Sequence, residues 1–338
     1  MRVDTGYKRE KSLNLSGLPN IIFSMLICVA CWGGGYFFMV GFPVGGEADS
    51  TVLWDAICRL MPKRIDHLYI MGFILLCMGA MMLQWFNFLF VIVKEKTTLP
   101  FLLFLLLNSL NPGFYAIRPI SFALFLLFFA MIELFGSYQN PKTVSRMFNM
   151  MVFLSAGSLV WPYLLWYIPF FGVGMYQFRI LNGRTFAAAL LGIFTTGWFV
   201  LGWCAWKHDY AVFINLIQCL ADFKFFFIQE SWLIQWVAPL CILIGLIFAF
   251  IHISLRKHEN TIRSRIFFSF LLIFGIVTFV ISVWYASSFD DFVCVFYIPA
   301  SIIFAYFLSG KYRFGAFLLY YLPLLLLILL CWFRLWNF

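Results

Sequence analysis

The chain is expected to fold as an all-α, polytopic bundle of transmembrane helices that crosses a lipid bilayer about eleven times. Three observations predict this class. Apolar residue types make up 64% of the 338 residues, charged types only 11%, and phenylalanine alone occurs 45 times. A soluble domain averages about 45–50% apolar and about 25% charged residues, so a water-soluble fold of this composition would expose large sticking patches. The apolar residues also gather into runs near the length of a hydrocarbon core, separated by short polar segments. Finally, the positive charges alternate by side from one segment to the next. Scarce charge and abundant apolar residues exclude a disordered chain.

The predicted spans cover roughly 19–42, 68–93, 98–111, 117–136, 147–161, 163–178, 185–206, 233–255, 266–287, 292–309 and 314–333. The first follows a basic start and runs on through Gly33–Gly35 to Phe42, so it reads as an uncleaved span. After it comes Gly45-Gly46-Glu47-Ala48-Asp49-Ser50 and an amphipathic stretch to Met61. There Leu53, Ile57, Leu60 and Met61 fall at helical spacing, with Asp55 and Arg59 an i,i+4 pair on another face. Asp49 or Ser50 is the expected N-cap and Pro62 the stop, giving a short helix lying on the membrane surface.

The third span is short and ends in Asn108 and Asn111-Pro112-Gly113. The fourth opens after Ile117-Arg118-Pro119, and the fifth and sixth are broken by Trp161-Pro162 and Pro169. Half-length helices are tolerated where protein or water satisfies their open ends, which suggests a hydrated outer cavity; a kinked pair of ordinary helices is the alternative. A second outer segment, Asp209 to Trp232, repeats the amphipathic character through Phe213, Ile217 and Leu220. One integral membrane domain, 1–338, accounts for the whole chain, without exact repeat or soluble domain.

The net charge of +9 reports topology. The N-terminus and alternate loops (Lys94/Lys96, Lys142/Arg146, Arg179/Arg184, Arg256 to Arg265, Lys311/Arg313) hold 16 of the 23 Lys and Arg. By the positive-inside rule this set, with the N-terminus, is cytoplasmic. A nucleic-acid partner is excluded on this pattern, since it would call for one continuous basic stripe. Nine of the fourteen acidic residues fall on the opposite, outer side. Asp and Glu contribute little to orientation, so this bias points to function.

The nine cysteines lie mostly inside apolar spans and form no disulfide framework; Cys28 and Cys31 match a redox spacing but sit in mid-span. Outer-end aromatics, including Trp161, Tyr163, Tyr167, Trp203, Trp206 and Trp284, are expected to form the interfacial belt. Glu133 is a carboxylate within a span, close to its cytoplasmic end, where snorkelling or local pairing is expected.

Glu47 and Asp49, with Asp55, stand just outside the first span. Two carboxylates one residue apart can hold a divalent cation or act as a base toward an acceptor hydroxyl, and a solvated loop often contains two acids as well. Arg118, at the outer end of the fourth span, can grip a lipid phosphate bidentately or snorkel to headgroups. Asp290 and Asp291 add an acidic point at the turn before the tenth span, and Asp209, beside His208, adds another.

A first span, an outer loop with Glu47-x-Asp49 and an amphipathic surface helix resembles the start of a GT-C membrane glycosyltransferase. The resemblance extends through Leu110-Asn111-Pro112, Arg118-Pro119, Phe122 to Leu127, Gly157 to Pro162 and Tyr167-Ile168-Pro169, roughly residues 19–205, and leaves 206–338 as additional C-terminal helices. It implies a polyprenyl-phosphate-linked sugar as donor, Glu47 or Asp49 as base or metal ligand, and Arg118 on the donor phosphate. The setting would be the outer face of a bacterial inner membrane. One departure is that the outer loop Asn111–Arg118 holds none of the second acidic residues usual to that pattern, so the missing acid must come from elsewhere, Asp209 or Asp290. The segments around Asn111–Pro119, Met147–Pro162 and Asp290–Pro299 also resemble a Bacteroidota family of polytopic inner-membrane proteins, which brings no activity with it. The alternative function is a non-catalytic multi-pass subunit or scaffold of a cell-envelope assembly, bound to a membrane-protein partner.

Overall fold

Apolar runs of this length satisfy their backbone polar groups internally only as helices, and helices are what the chain forms. The computed structural model describes residues 18–38, 51–62, 64–93, 97–140, 142–208, 218–221, 230–255, 261–285 and 288–309. In order they form α1 (Leu18–Phe38), α2 (Val52–Leu60), α3 (Ile65–Phe90), α4 (Leu99–Ser109), α5 (Pro119–Gly136), α6 (Thr143–Ser158), α7 (Tyr167–Gln177), α8 (Gly183–Lys207), α9 (Glu230–Leu255), α10 (Ile262–Trp284) and α11 (Phe289–Leu308). Single 3-10 turns at Pro112–Phe114 and Pro162–Trp166 follow α4 and α6. Among the described residues, six helical segments are long and apolar enough to cross a membrane: Ile65–Phe90, Pro119–Gly136, Gly183–Lys207, Ala238–Leu255, Ile262–Trp284 and Phe289–Leu308. The chain is therefore all-helical over its described residues and has the helices of a multi-pass membrane protein.

Local chemistry sets the helix ends. Pro119 opens α5, where its missing N–H costs nothing and its φ is already helical. At α8, the Asn182 side chain accepts an amide of the first turn while the Asn182 amide donates to Thr185 Oγ1, a reciprocal cap. Thr261 accepts from the Ser264 amide to start α10. The helix at 99–109 is short, as Asn108 and the Asn-Pro-Gly turn predict, and α6 and α7 are separate helices divided at Pro162. The predicted eleventh span at 314–333 lies outside the described residues.

One predicted detail of α2 is corrected. The cap is Thr51, whose hydroxyl accepts the Trp54 amide from an extended backbone. The buried face is Trp54 and Met61, while Leu53 and Leu60 are exposed. Trp54 packs its ring against Phe122 of α5, and of the predicted apolar face Ile57 and Met61 pack on the core while Leu53 and Leu60 turn outward. Asp55 and Arg59 are both exposed, and they make no ion pair within 4 Å.

Burial sorts the long helices into core and periphery. The spanning window of α11 is 89% buried, and α4 is buried on nearly every residue; the two pack against each other. A helix that is apolar all round and enclosed by protein belongs at the centre. The window of α8 is only 22% buried, and Leu191, Phe194, Trp198 and Phe199 lie more than half exposed along it. Such a surface in water would aggregate, whereas lipid covers it without penalty.

Between periphery and core, α8 packs on α6 through Gly192. A Cβ there would stand 2.6 Å from the Phe148 carbonyl oxygen and 3.1 Å from Met151 Cβ. Backbone atoms of a neighbouring helix cannot rotate aside, so the small residue sets the approach. Gly192→Ala is expected to lower the melting temperature of the detergent-solubilised protein, with overpacking costing about 1–3 kcal/mol. An unchanged thermal transition would show that α6 and α8 are free to separate.

Candidate functional site

Two stretches distant in sequence meet at one end of the bundle: residues 111–118, which run from the Asn-Pro-Gly turn after α4 to the start of α5, and the first turn of α11. Arg118 is the N-cap residue of α5, so its side chain leaves the helix at the very end of the span. Its Nη2 lies 3.3 Å from Asp290 Oδ2 and its Nη1 3.3 Å from Asp291 Oδ1. Asn111 Nδ2 donates to Asp290 Oδ1 at 3.1 Å, and Asn111 Oδ1 accepts from the Gly113 amide at 3.3 Å. One guanidinium therefore bridges two adjacent carboxylates, and a buried asparagine holds one of them from the other side.

Each part has a local reason. Two carboxylates in the first turn of α11 sit at the positive end of its dipole. The turn can press against Asp290 because residue 113 is glycine: a Cβ there would collide with the carboxylate. Asp291 is turned inward, its side chain 4% exposed, while Arg118 and Asp290 keep 21% and 23% of theirs. The cluster is mostly buried, with one open side, and its three charged groups sum to a formal charge of −1. Asp290 is its accessible acid.

An aromatic shell supports the cluster. Phe292, next to Asp291, packs against Trp161 at 5.0 Å and Tyr163 at 5.4 Å between ring centroids. Trp166 Nε1 donates to Tyr285 Oη at 3.0 Å, and Tyr285 donates to the Leu220 carbonyl at 2.7 Å. Thr51 donates to the Val160 carbonyl at 3.3 Å, which fastens α2 to the turn beside Trp161. On the neighbouring flank, Trp32, Tyr69 and Tyr115 pack ring to ring, and Tyr115 donates to the Ser109 carbonyl at 2.7 Å.

The predicted belt therefore divides. Trp161, Tyr163 and Tyr167 are buried within the protein, because the turns after α6 fold inward under α11, while Trp203, Trp206 and Trp284 are exposed. Of the sequence-predicted site residues, Arg118, Asp290 and Asp291 come together. Asp55 is exposed on α2, and its side chain makes no hydrogen bond or ion pair with a described residue. Glu47, Asp49 and Asp209 lie outside the described residues, and with them the proposed cation ligands. Among the described residues no group of three His, Cys, Asp or Glu is placed to hold a metal ion.

Asn111 was legible only as part of a turn signal. Its contact with Asp290 spans 179 residues of sequence, and no periodicity encodes such a pairing. At the opposite end of α5, Glu133 pairs with Arg146 at 3.4 Å and accepts from Asn149 at 3.4 Å, a local arrangement that neutralises a carboxylate near the end of its span. No family model, curated protein or solved structure matches this chain.

Proposed function

We propose that this chain is a glycosyltransferase of the bacterial inner membrane that takes its sugar from a polyprenyl-phosphate donor on the outer face. In this reading the chain crosses the bilayer about eleven times with a cytoplasmic N-terminus. The observation that carries it is the Arg118–Asp290–Asn111 cluster at the end of α5. The short turn Asn111–Arg118 contains no acid of its own, and the first turn of α11 brings one to it.

The chemistry divides between the two charged partners. Asp290, the more accessible carboxylate, accepts the proton of the acceptor hydroxyl as its oxygen bonds to the anomeric carbon. The bond from that carbon to the phosphate oxygen breaks, and the polyprenyl phosphate leaves with the electron pair. Arg118 exchanges a carboxylate for the phosphate oxygens and takes up the developing charge. Asn111 keeps Asp290 oriented through its amide hydrogen bond. Glu47 and Asp49, just outside the first span, are the further carboxylates of this reading.

The test uses the purified protein in lipid nanodiscs, offered a panel of radiolabelled polyprenyl-phosphate hexoses with envelope extract as acceptor. Wild type is expected to transfer label. Asp290→Asn should lower the rate by about 10²–10⁴-fold, the usual contribution of a general base. The Glu47→Ala, Asp49→Ala double variant should abolish transfer, and full activity in it would exclude that pair as the site. Undiminished transfer by Asp290→Asn would remove the cluster from the mechanism.

The competing reading is a non-catalytic multi-pass subunit of a cell-envelope assembly. It draws on the fact that both terminal nitrogens of Arg118 already hold carboxylates, as a purely structural clasp would. That reading predicts a stoichiometric membrane-protein partner on purification, and no donor consumption by any variant.

A further inference from the structure

The opposite end of α5 opens on a pocket of about 970 Å³, walled by the segments that join α5 to α6 and α7 to α8 and by the start of α10. The 18 residues of α5 separate it from the Arg118 cluster by about 27 Å, close to one hydrocarbon thickness. We propose that this pocket binds the phosphate headgroup of an anionic phospholipid, held by Arg179, Arg184 and Arg265.

Charge is the first support. Three arginines line the pocket, and no Asp or Glu is among its lining residues. None of the three makes an ion pair with a described residue, whereas Arg146 nearby is held by Glu133 and Arg263 lies over the Phe267 ring. Planar guanidiniums on two of the walls, Arg179 and Arg184 between α7 and α8 and Arg265 at the start of α10, match the several oxygens of a phosphate.

The backbone adds to the same sign. The N-termini of α6, α8 and α10 all reach the pocket, through Thr143, Asn182 and Ile262. Each brings the positive end of a helix dipole. The C-termini of α5 and α7 reach it as well, but their last carbonyls are already taken. Ser137 and Tyr138 amides donate to Leu134 and Phe135, Asn140 Nδ2 donates to Gly136, and the Arg179 and Ile180 amides donate to Tyr176 and Met175. With three arginines and no carboxylate among its lining residues, the pocket wall is positively charged.

Backbone conformation is the second support. Gln139 and Arg179, both on the pocket wall, adopt left-handed φ of 54° and 58°. Arg179 occupies the position after α7 where glycine is the ordinary residue, closing that helix with the Ile180-to-Met175 bond. An arginine in this conformation strains the chain, and strain of this kind gathers where a side chain has work to perform.

The shape selects a lipid over a free ion. Val144 and Ile262 line the pocket and are 44% and 65% exposed, so an apolar flank continues from the arginines onto the lipid-facing surface. A phosphate at the arginines leaves acyl chains lying along these residues. Basic pockets between transmembrane helices recognise anionic headgroups in this way.

The experiment compares the full chain purified in neutral detergent, then exposed to phosphatidylglycerol, to phosphatidylcholine or to inorganic phosphate, with bound lipid counted by native mass spectrometry. Wild type should retain phosphatidylglycerol over phosphatidylcholine. Arg184→Gln with Arg265→Gln should reduce retention at least tenfold, while leaving the lipid-free melting temperature unchanged because both side chains are exposed. Arg179→Gly should lower retention and raise the melting temperature, since it removes a phosphate ligand and relieves the backbone together. Equal retention by wild type and the double variant would overturn the site. Stabilisation by inorganic phosphate with no preference between the two lipids would overturn the lipid assignment.

Discussion

Arg118→Met is expected to be the most damaging single change at the membrane-end cluster. It removes the cation from between Asp290 and Asp291, which are adjacent in sequence and both within 3.3 Å of it. Asp291, at 4% side-chain exposure, cannot turn to water. Breaking a buried ion pair from one side costs about 3–5 kcal/mol, and the partial exposure of Arg118 and Asp290 places this case near the lower limit. The measurement is thermal unfolding in detergent, with yield of monodisperse protein alongside. Adding Asp290→Asn and Asp291→Asn to the Met variant should recover most of the loss, because the damage comes from the uncompensated charges. A triple variant no better than Arg118→Met would show that the arginine acts through packing alone. The same series bears on function, since a structural clasp recovers completely in the triple variant whereas a transferase does not regain activity.

Phe135→Ala should be nearly as destabilising, for a different reason. Phe135 is fully buried, with Phe86 at 4.9 Å, Phe178 at 5.3 Å, Phe267 at 4.5 Å and Phe270 at 5.5 Å between ring centroids. These rings come from α3, α10 and the end of α7, so one side chain ties three neighbours to α5. Between helices already in lipid the transfer contribution is small, and what remains is lost dispersion around the cavity. The expected loss is about 3 kcal/mol, with Phe135→Leu intermediate. Denaturation by a graded detergent mixture reads it, and an alanine variant that unfolds with wild type would mean that the rings repack. Phe178 and Tyr138 continue this cluster into the wall of the arginine pocket. Phe135→Ala should therefore also blunt the lipid preference there.

The helices were legible because each depends on neighbours within one turn. Thr98 to Leu110 ends where Asn108 and the Asn-Pro-Gly turn say it must, and Pro119 opens the next helix where a proline is harmless. Trp161-Pro162 divides α6 from α7 for the same reason. Faces were harder to read. On α2, Leu53 and Leu60 look as apolar as Trp54 and Met61, and only the presence of Phe122 beside Trp54 decides which pair turns inward.

At the candidate site the sequence showed charged residue types at predicted span ends: Arg118 beside one turn, Asp290 and Asp291 beside another. Nothing within the reach of a helical repeat joins positions 173 residues apart, and Asn111 looked like punctuation. The pocket of Arg179, Arg184 and Arg265 was hidden in the same way. Each arginine counted as one more charge on the basic side, and that tally carries no information about which loops touch.

By itself, then, the amino-acid order pointed to a lipid solvent for this protein and to the position of most helices. These follow from transfer free energies and local backbone geometry, which act residue by residue. Tertiary structure alone decided that α4 and α11 are central, that one arginine bridges two carboxylates, and that three other arginines share a hollow about 27 Å away. Those outcomes depend on how helices pack, and packing is settled by the shapes of side chains far apart in the chain.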